Sequence, residues 1–204
     1  MYLGIDTATP FLSLALWSPS TGTAASCQLE LGRDHGARII SELNILFAQA
    51  QQETHSLQGI AVGLGPGSYT GLRVGIATAR GLAKSLNCLL VGKSSLEAMA
   101  AQYLKNQPSD ACSQPMHQVA TALDARRGNI YVGRFRTQIR GKVNTLKLEG
   151  EIDKLNRAAF INTHSDWLLI ENIAPSATYL ARHAYEVSQD ASNYAYAALE
   201  PYYL

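Results

Sequence analysis

The chain begins with hydrophobic residues at alternate positions, the pattern of strands that bury one face. In "FLSLALWS" the side chains of Leu12, Leu14 and Leu16 are two residues apart. "YLGIDTA" before this segment and "TGTAASCQLEL" after it have similar strand-forming character, and Thr9-Pro10 lies at the first connection. We therefore predict three consecutive strands that form an antiparallel meander.

The hydrophobic period then changes to that of a helix. Between 37 and 50 the apolar residues Ile39, Leu43, Leu46 and Ala50 recur at three- and four-residue spacing, Ile40 and Phe47 form a second row, and Ile45 forms a third. A helix that packs a single stripe on a core needs fewer apolar positions. The pattern predicts a helix with more apolar surface than its own core requires.

A strand–helix–strand–helix series follows. "LQGIAVGLG" is a short apolar run bounded by glycines, which is typical of a buried parallel strand. Residues 70–86 predict a helix, "CLLVG" the next strand, and "SSLEAMAAQYLK" a helix with Ser94 or Ser95 as its N-cap. The first half is therefore predicted to be an α/β unit.

The second half has the same kinds of element in a smaller unit. "NQPSDACSQP" at 106–115 contains two prolines and predicts a boundary. After it, "HQVATALDA" and "NIYVGRFR" predict paired strands, "KVNTLKLEG" and "DWLLIEN" further strands, and "PSATYLARHAYEVSQ" a helix with Pro175 in its first turn. We expect an N-terminal lobe at 1–106 and a reduced C-terminal lobe at 107–204, whose final residues are candidates to pack back on the first lobe.

Composition narrows the functional classes. Of 204 residues, 47% are hydrophobic and 16% are charged, as in globular proteins. Lys and Arg number 17 against 16 Asp and Glu, so strong independent binding to a nucleic-acid backbone is disfavoured. The three cysteines include no C-x-x-C pair, which argues against a disulfide framework or a zinc site. Since no signal-peptide pattern or bilayer-length apolar run occurs, we expect a cytoplasmic protein with no membrane partner.

The glycine-rich segment "GLGPGSYTGLRVG" at 63–75 joins a predicted strand to a predicted helix. Such a junction can bind anions through free N–H groups. The segment fits no specific enzyme motif, however. A P-loop needs a lysine that is absent here, the dinucleotide fingerprint needs glycine in place of Thr70, and a nucleophile elbow needs glycine in place of Pro66. A structural turn is favoured, and anion binding stays open as the alternative.

Small residues recur every four positions along one face of the following helix, at Gly71, Gly75, Ala79 and Ala83. Gly75 and Gly81, within the helix, each cost about 1 kcal/mol relative to alanine. Two interpretations are equally good: the helix packs closely on its own sheet, or a helix of another chain approaches it. On a neighbouring face lie Arg73, Arg80 and Lys84, which are either solvated or the rim of an interface.

Five segments together resemble the TsaB family of bacterial proteins: "YLGIDTATPFLSLAL", "AVGLGPGSYTGLRVGIATARGLA", "VGKSSLEAMA", "ALDARRGNIYVG" and "PYYL". They occur in the family's order over nearly the whole chain, and "GPGSYTGLRVG" is the most specific of them. The resemblance implies a two-lobed α/β fold of the actin, sugar kinase and heat-shock ATPase type, which is RNase H-like, with a shortened second lobe.

The resemblance also implies a function. TsaB-like proteins are non-catalytic partners of TsaD, the subunit that transfers the threonylcarbamoyl group to adenosine 37 of tRNAs that read ANN codons. A small ATPase, TsaE, joins that assembly. This chain is then expected to bind a TsaD homologue and to meet tRNA mainly within the complex. It is expected to have no catalytic residue, metal or cofactor of its own, and a homodimer through the same helices is a further expectation.

In the family, the first two helices of the N-terminal lobe form the partner interface. Carried over to this chain, the interface residues are Ile39, Ile40, Leu43 and Phe47 in the first helix and Gly71, Arg73, Val74, Gly75, Thr78, Ala79, Leu82 and Ala83 in the second. We therefore expect Gly75→Leu or Ala79→Leu to abolish partner binding and to leave the monomer folded.

The chain departs from catalytic relatives at two motifs. In catalytic relatives the first hairpin binds phosphate through the motif D-x-G-T. This chain has Asp6-Thr7-Ala8-Thr9 in its place, and the Cβ of Ala8 lies where the backbone must approach the phosphate. No two histidines have the H-x-x-x-H spacing of the metal ligands in TsaD-type enzymes, so neither His35 nor His117 is expected to bind metal. A degenerate anion or nucleotide site is left as an expectation at Asp6, Thr7, Thr9, Gly67, Ser68 and Thr70.

Two other functions compete with the accessory role. One is a residual ATPase or phosphotransferase that uses Asp6, Thr9 and the glycine loop. The other is a tRNA-binding module, with a candidate patch at Arg126, Arg127, Arg134, Arg136 and Arg140. Asp124 beside Arg126 favours a hairpin turn over a catalytic pair, because no second carboxylate or histidine accompanies them.

Overall fold

The structure is a computed structural model that describes residues 1–107, 118–140, 143–190 and 199–202, without the side chains of 137–145. Its strands form two sheets with helices between and outside them. The predicted α/β class is therefore confirmed. The predicted boundary at 106–115 lies mostly outside the described residues.

The first sheet contains β1 (Tyr2–Asp6), β2 (Phe11–Ser18), β3 (Gly22–Glu30), β4 (Gly59–Gly63) and β5 (Leu89–Lys93). Their order is β3-β2-β1-β4-β5. The first three strands pair antiparallel, which confirms the predicted meander. β4 runs parallel to both β1 and β5 and is buried along its length, as its continuous apolar sequence predicts.

Helices cover both faces of this sheet. α1 (His35–Gln49) and α2 (Tyr69–Leu86) pack on one face, and α5 (Ala177–Ser188) packs on the other. A turn of 3₁₀-helix at Thr54–Ser56 lies between α1 and β4. None of the helices in the described part of the chain is both long and apolar enough to cross a membrane.

The second sheet contains β6 (Gln118–Asp124), β7 (Asn129–Arg140), β8 (Val143–Leu148), β9 (Asp153–Asn156) and β10 (Leu168–Ile170). The order is β10-β6-β7-β8, and β9 also pairs with β7. The predicted β6–β7 pair is confirmed as antiparallel. β9 and the helix after it, α4 (Arg157–Thr163), were not predicted from the sequence. α4 buries Phe160 against the outer face of this sheet.

A helix between the two sheets packs against both of them. α3 (Ser95–Lys105) begins directly after β5, with Ser94 as its N-cap. It contributes Ala98 to the core beneath α5, and Leu96 to the core with Phe135 of β7. The hydroxyl of Thr121 in β6 donates to the carbonyl oxygen of Leu96 at 2.8 Å. α3 therefore belongs to the packing of both sheets.

The last described segments return to the first sheet. α5 follows the second sheet in the chain, yet its main contacts are with β1, β2 and β4. It begins one residue after its N-cap Ser176, so Pro175 precedes the cap and does not lie in the first turn as predicted. Leu199 is buried in the core beneath α1 and α2, and its carbonyl oxygen accepts from Arg80 at 2.5 Å.

Candidate functional site at the glycine loop and the α1–α2 surface

Asp6, the aspartate of the first hairpin, is fully buried at the end of β1. Its Oδ2 accepts from the hydroxyl of Ser95 at 2.6 Å, and its Oδ1 accepts from the N–H of Ala8 at 2.9 Å. Burial raises the pKa of Asp6 to about 6, although both hydrogen bonds act to lower it. The carboxyl group thus ties the hairpin to the first residue of α3.

The glycine at the end of β4 makes room for this carboxyl group. A Cβ placed on Gly63 would lie 1.9 Å from Oδ2 of Asp6 and 2.7 Å from Oγ of Ser95. Ser95 also accepts from the N–H of Gly65 at 3.1 Å, and the Gly65–Pro66 peptide bond is cis. The hairpin, the glycine loop and the start of α3 therefore form one close-packed junction.

The glycine loop lies directly against the first hairpin. A Cβ on Gly67 would lie 2.3 Å from the carbonyl oxygen of Ala8, and the N–H of Ser68 donates to that same oxygen at 2.7 Å. The side chain of Ser68 caps α2 by accepting from the N–H of Gly71 at 3.2 Å. The N–H of Ser68 is thus engaged by an acceptor oxygen of this chain.

The two threonines of the hairpin also have internal partners. The hydroxyl of Thr7 donates to the carbonyl oxygen of Gly71 at 2.7 Å, and Oγ1 of Thr9 accepts from the N–H of Phe11 at 3.2 Å. Both side chains are buried, whereas Thr70 is exposed on α2. The six residues of the anticipated anion site are thus brought into one region: Asp6, Thr7, Thr9 and Gly67 pack within the junction, and Ser68 and Thr70 are exposed.

The row of small residues on α2 faces this chain's own sheet. A Cβ on Gly71 would lie 2.2 Å from the carbonyl oxygen of Thr7, and one on Gly75 would lie 2.3 Å from its Oγ1. Ala79 and Ala83 are completely buried. The internal interpretation of this row is the correct one. The expectation that Gly75→Leu or Ala79→Leu leaves the monomer folded is wrong, because both positions lack space for a larger side chain.

The remaining predicted interface residues divide between the core and the surface. Buried in the first core are Ile39, Leu43 and Phe47 of α1. At the surface lie Ile40, Arg73, Val74, Thr78 and Leu82, which we call the α1–α2 surface. Ile40 is 56% exposed, and the helices meet where Gly36 approaches Val74. Of the predicted interface residues, these five are the ones that another protein could contact.

A polar cluster between β5, α3 and α5 was not predicted from the sequence. Oε1 of Glu97 lies 2.9 Å from Nζ of Lys93 and accepts from the hydroxyl of Tyr179 at 2.5 Å. Burial and Glu97 raise the pKa of Tyr179. Burial and then Lys93 lower the pKa of the neighbouring His183 to about 4, against an opposing effect of Glu97. The i,i+4 spacing of Lys93 and Glu97 is the one local signal of this cluster, because α5 is distant in sequence.

The turn between β6 and β7 confirms the interpretation of Asp124. Its Oδ1 accepts from the N–H of Arg126 at 2.8 Å, and the N–H of Asn129 donates to the carbonyl oxygen of Arg126 at 3.0 Å. Arg126 and Arg127 have φ values of 66° and 54°, in the left-handed region. Asp124 is therefore part of a tight turn.

Two of the five arginines of the candidate patch are paired with carboxylates. Arg134 lies 3.3 Å from Asp153, and Arg136 lies 2.6 Å from Glu149. Arg126 and Arg127 are exposed at the other end of β7, and the side chain of Arg140 lies outside the described residues. Carboxylates therefore pair with two members of the candidate patch, Arg134 and Arg136, and the patch stays a prediction.

Across the residues that the structure describes, His, Cys, Asp and Glu side chains form no group of three or more that could hold a metal ion. His35, one of the histidines considered in the sequence, is buried at the start of α1, and His117 lies outside the described residues.

Comparison with known proteins identifies relatives. The model of the family TsaD, tRNA N6-adenosine threonylcarbamoyltransferase, matches residues 29–195. The tRNA threonylcarbamoyladenosine biosynthesis protein TsaB of Escherichia coli is 34% identical over 141 residues, which are 68% of this chain and 56% of that protein. TsaB of Bacillus subtilis is 34% identical over 133 residues, 65% of this chain and 54% of that protein. The aligned region thus spans about half the length of these curated relatives.

Solved structures show the same fold. YeaZ from Pseudomonas aeruginosa matches with a TM-score of 0.78 and 23% identity, over 99% of this chain and 98% of its own. A protein from Pseudomonas aeruginosa, described as uncharacterized with similarity to peptidase YEAZ, matches with the same TM-score and coverage and 25% identity. These matches confirm the predicted actin-like fold. The chain belongs to the TsaD family of tRNA N6-adenosine threonylcarbamoyltransferases, and within it to the group of TsaB, or YeaZ, proteins.

Proposed function

We propose that this chain is an accessory subunit in the synthesis of threonylcarbamoyladenosine at position 37 of tRNAs that read ANN codons. It binds and supports a TsaD homologue, which performs the transfer, and is not itself catalytic. The names of the relatives support the pathway. The packing of the glycine loop on the first hairpin is the observation that supports the non-catalytic role, because the N–H of Ser68 donates to the carbonyl oxygen of Ala8 and is therefore not free to bind a phosphate.

The α1–α2 surface is the proposed contact with the TsaD homologue. It combines the exposed Ile40 and the half-buried Val74 and Leu82 with the exposed Arg73. An apolar centre with a charged edge is typical of protein–protein interfaces. The buried residues of the same helices support this surface from below and are not contacts themselves.

The other components follow from this role. A TsaE-type ATPase joins the assembly, tRNA is bound mainly within the complex, and the protein acts in the cytoplasm. A second copy of this chain is the alternative occupant of the α1–α2 surface.

Reconstitution tests the proposal. The TsaD homologue, the TsaE-type ATPase and the enzyme that forms threonylcarbamoyl-adenylate are combined with unmodified tRNA, with and without this chain, and the modified nucleoside is quantified by mass spectrometry. We expect modification to depend on this chain. Equal modification without it would contradict the accessory role. ATP turnover by the chain alone, lost in Asp6→Ala, would instead support an enzyme.

A further inference from the structure

The imidazole of His164, the C-cap residue of α4, contacts both that helix and the second sheet. Its Nε2 lies 3.3 Å from Nη1 of Arg134 on β7, and its Nδ1 lies 2.8 Å from Oγ1 of Thr163. The ring also stacks on Phe160, with 4.5 Å between the ring centroids. The C-terminal end of α4 is therefore joined to β7 through this side chain.

The partners of the ring determine where its hydrogen lies. A guanidinium has only donors, so Nε2 of His164 accepts from Arg134 and carries no hydrogen. The hydroxyl of Thr163 donates its hydrogen to the carbonyl oxygen of Ala159 at 2.9 Å, so its oxygen accepts from Nδ1. The imidazole that satisfies all these bonds is neutral, with its hydrogen on Nδ1.

A second proton on this ring must bind Nε2, the atom that accepts from Arg134. Protonation and this hydrogen bond therefore exclude each other. The protonated ring would also place a positive charge 3.3 Å from the guanidinium. Arg134 keeps another partner in that state, because its Nη2 lies 3.3 Å from Oδ2 of Asp153 on β9. Proton uptake thus removes the bond between α4 and β7 and leaves the pair of Arg134 and Asp153 intact.

The other charged groups in this region are mostly paired with one another. Ion pairs on the surrounding elements join Arg136 of β7 to Glu149, at 2.6 Å, and Arg157 of α4 to Glu171, at 2.8 Å. Exposed charges are Lys147 of β8, which is opposite Arg136, Glu151 before β9 and Asp166 after α4. Among the described residues, Arg134 is the charged group in hydrogen-bond contact with the ring of His164.

α4 covers an apolar part of the second sheet. Phe160 is 2% exposed and packs in the core on the outer face of that sheet. At the N-terminal end of α4, Asn156 caps the helix and Arg157 pairs with Glu171. At the C-terminal end, His164 joins the helix to β7. Loss of that contact therefore frees one end of α4 and leaves the other attached.

We propose that His164 is an acid-sensitive latch on α4. In its neutral form the imidazole holds the C-terminal end of the helix on β7, and in its protonated form it releases that end and uncovers the apolar surface beneath Phe160. Histidine is suited to this role, because imidazoles in general change charge between about pH 5 and 8. The device goes beyond the proposed function and does not depend on it.

Nitrogen NMR of the full wild-type chain, with isotope-labelled histidine, tests the neutral form of the ring. At about pH 8 we expect His164 to carry its hydrogen on Nδ1, and on lowering the pH we expect Nε2 to become protonated as the α4 signals change. A ring with its hydrogen on Nε2 at about pH 8 would overturn the inference. This result needs no variant, so it does not depend on how well a substituted chain folds.

Hydrogen exchange, corrected for the intrinsic effect of pH, measures the release of the helix. Between about pH 8 and about pH 5 we expect the protection of the α4 amides to fall roughly tenfold, while protection in β6 changes less than about twofold. His164→Gln keeps an acceptor oxygen but takes up no proton, so its α4 protection is expected to stay constant. His55→Gln, at an exposed histidine of the 3₁₀ turn, is the matched control and is expected to keep the wild-type loss.

Arg134→Gln provides a second variant. Its amide can donate to the neutral ring and accept from the protonated ring, so the fall in α4 protection is expected to shrink to about twofold or less. An equal loss of protection in His164→Gln and the wild type would overturn the latch and assign the acid effect to carboxylates such as Glu171. Unchanged α4 protection in the wild type over this pH range would overturn it as well.

Discussion

The hydroxyl of Thr7 donates to the carbonyl oxygen of Gly71 at 2.7 Å, which fixes the first hairpin to the first turn of α2. Because Gly71 has no side chain and that of Thr7 is small, the helix lies close to the hairpin at this point. The most specific sequence segment of the family thus has an internal structural role in this chain.

Gly75→Ala tests how tightly the hairpin and α2 are packed. The new Cβ would lie 2.3 Å from Oγ1 of Thr7, so we expect a loss of about 1–3 kcal/mol in the free energy of unfolding, measured in urea. Gly81→Ala is the matched control and is expected to stabilise by about 1 kcal/mol, since its Cβ meets open space. Part of the loss is expected to be recovered in a Thr7→Ala background. Equal effects at the two glycines would contradict the packing argument.

Asp6→Asn tests the buried carboxyl group. The pKa of Asp6 is raised from 3.8 to about 6, so the folded state binds a proton more tightly than the unfolded state. Its contribution to stability is therefore present below about pH 4 and lost as the pH rises through about 6. We expect the stability of Asp6→Asn relative to wild type to increase over this range, by up to about 3 kcal/mol.

The measurement is the free energy of unfolding in urea at several pH values for both proteins. His183, whose pKa is lowered to about 4, acts in the opposite direction, because its unfolded form binds the proton more tightly. It is common to both proteins and cancels in the difference. A difference that is constant with pH would contradict the raised pKa of Asp6.

Tyr179→Phe tests the polar cluster between α3 and α5. The variant removes the hydroxyl that donates to Glu97, and leaves the Lys93–Glu97 pair. We expect a loss of about 1–2 kcal/mol and faster amide hydrogen exchange along α5. Arg182→Gln on the same helix breaks only an exposed ion pair and is expected to leave exchange unchanged. Similar exchange in the two variants would argue against a role of Glu97 in holding α5.

Arg127→Gly tests the strained turn between β6 and β7. A side chain in the left-handed region costs about 1–2 kcal/mol, and glycine removes this cost at an entropic penalty of about 0.5–1 kcal/mol. We expect a net gain of about 0.5–1 kcal/mol in the free energy of unfolding. Arg127→Ala removes the guanidinium but keeps the Cβ, so it separates strain from charge. A gain of the same size in Arg127→Ala would show that charge, not strain, is responsible.

Periodicity predicted most elements of the first lobe because their hydrophobic patterns are local. The alternating leucines of β2 and the apolar run of β4 indicate their own structure and burial. The short strand β9 and the helix α4 were missed because four and seven residues are too few to show a period. Pro175 was predicted in the first turn of α5, whereas it precedes the N-cap, because Ser176 is the better N-cap.

The candidate site was harder to predict because its decisive contacts join distant residues. The sequence grouped Asp6 and Gly67 in one anion site, yet only the structure shows that the carbonyl oxygen of Ala8 packs on Gly67 and accepts from the N–H of Ser68. The row from Gly71 to Ala83 has the same pattern whether it packs on a sheet or on a partner. Likewise, the neutralisation of Arg134 by Asp153 depends on strand pairing that charge counting does not reveal.

The position of α5 on the first sheet has a consequence for synthesis of the protein. One face of that sheet stays bare until α5 leaves the ribosome, after the whole second sheet has been made. Tyr2 of β1 and Leu180 of α5 share one core, so the contacts that complete it join opposite ends of the described chain. Such long-range closure slows folding and exposes apolar strands meanwhile. The nascent chain therefore depends on its last helix to shield its first strands, and chaperones are expected to bind it until that helix docks.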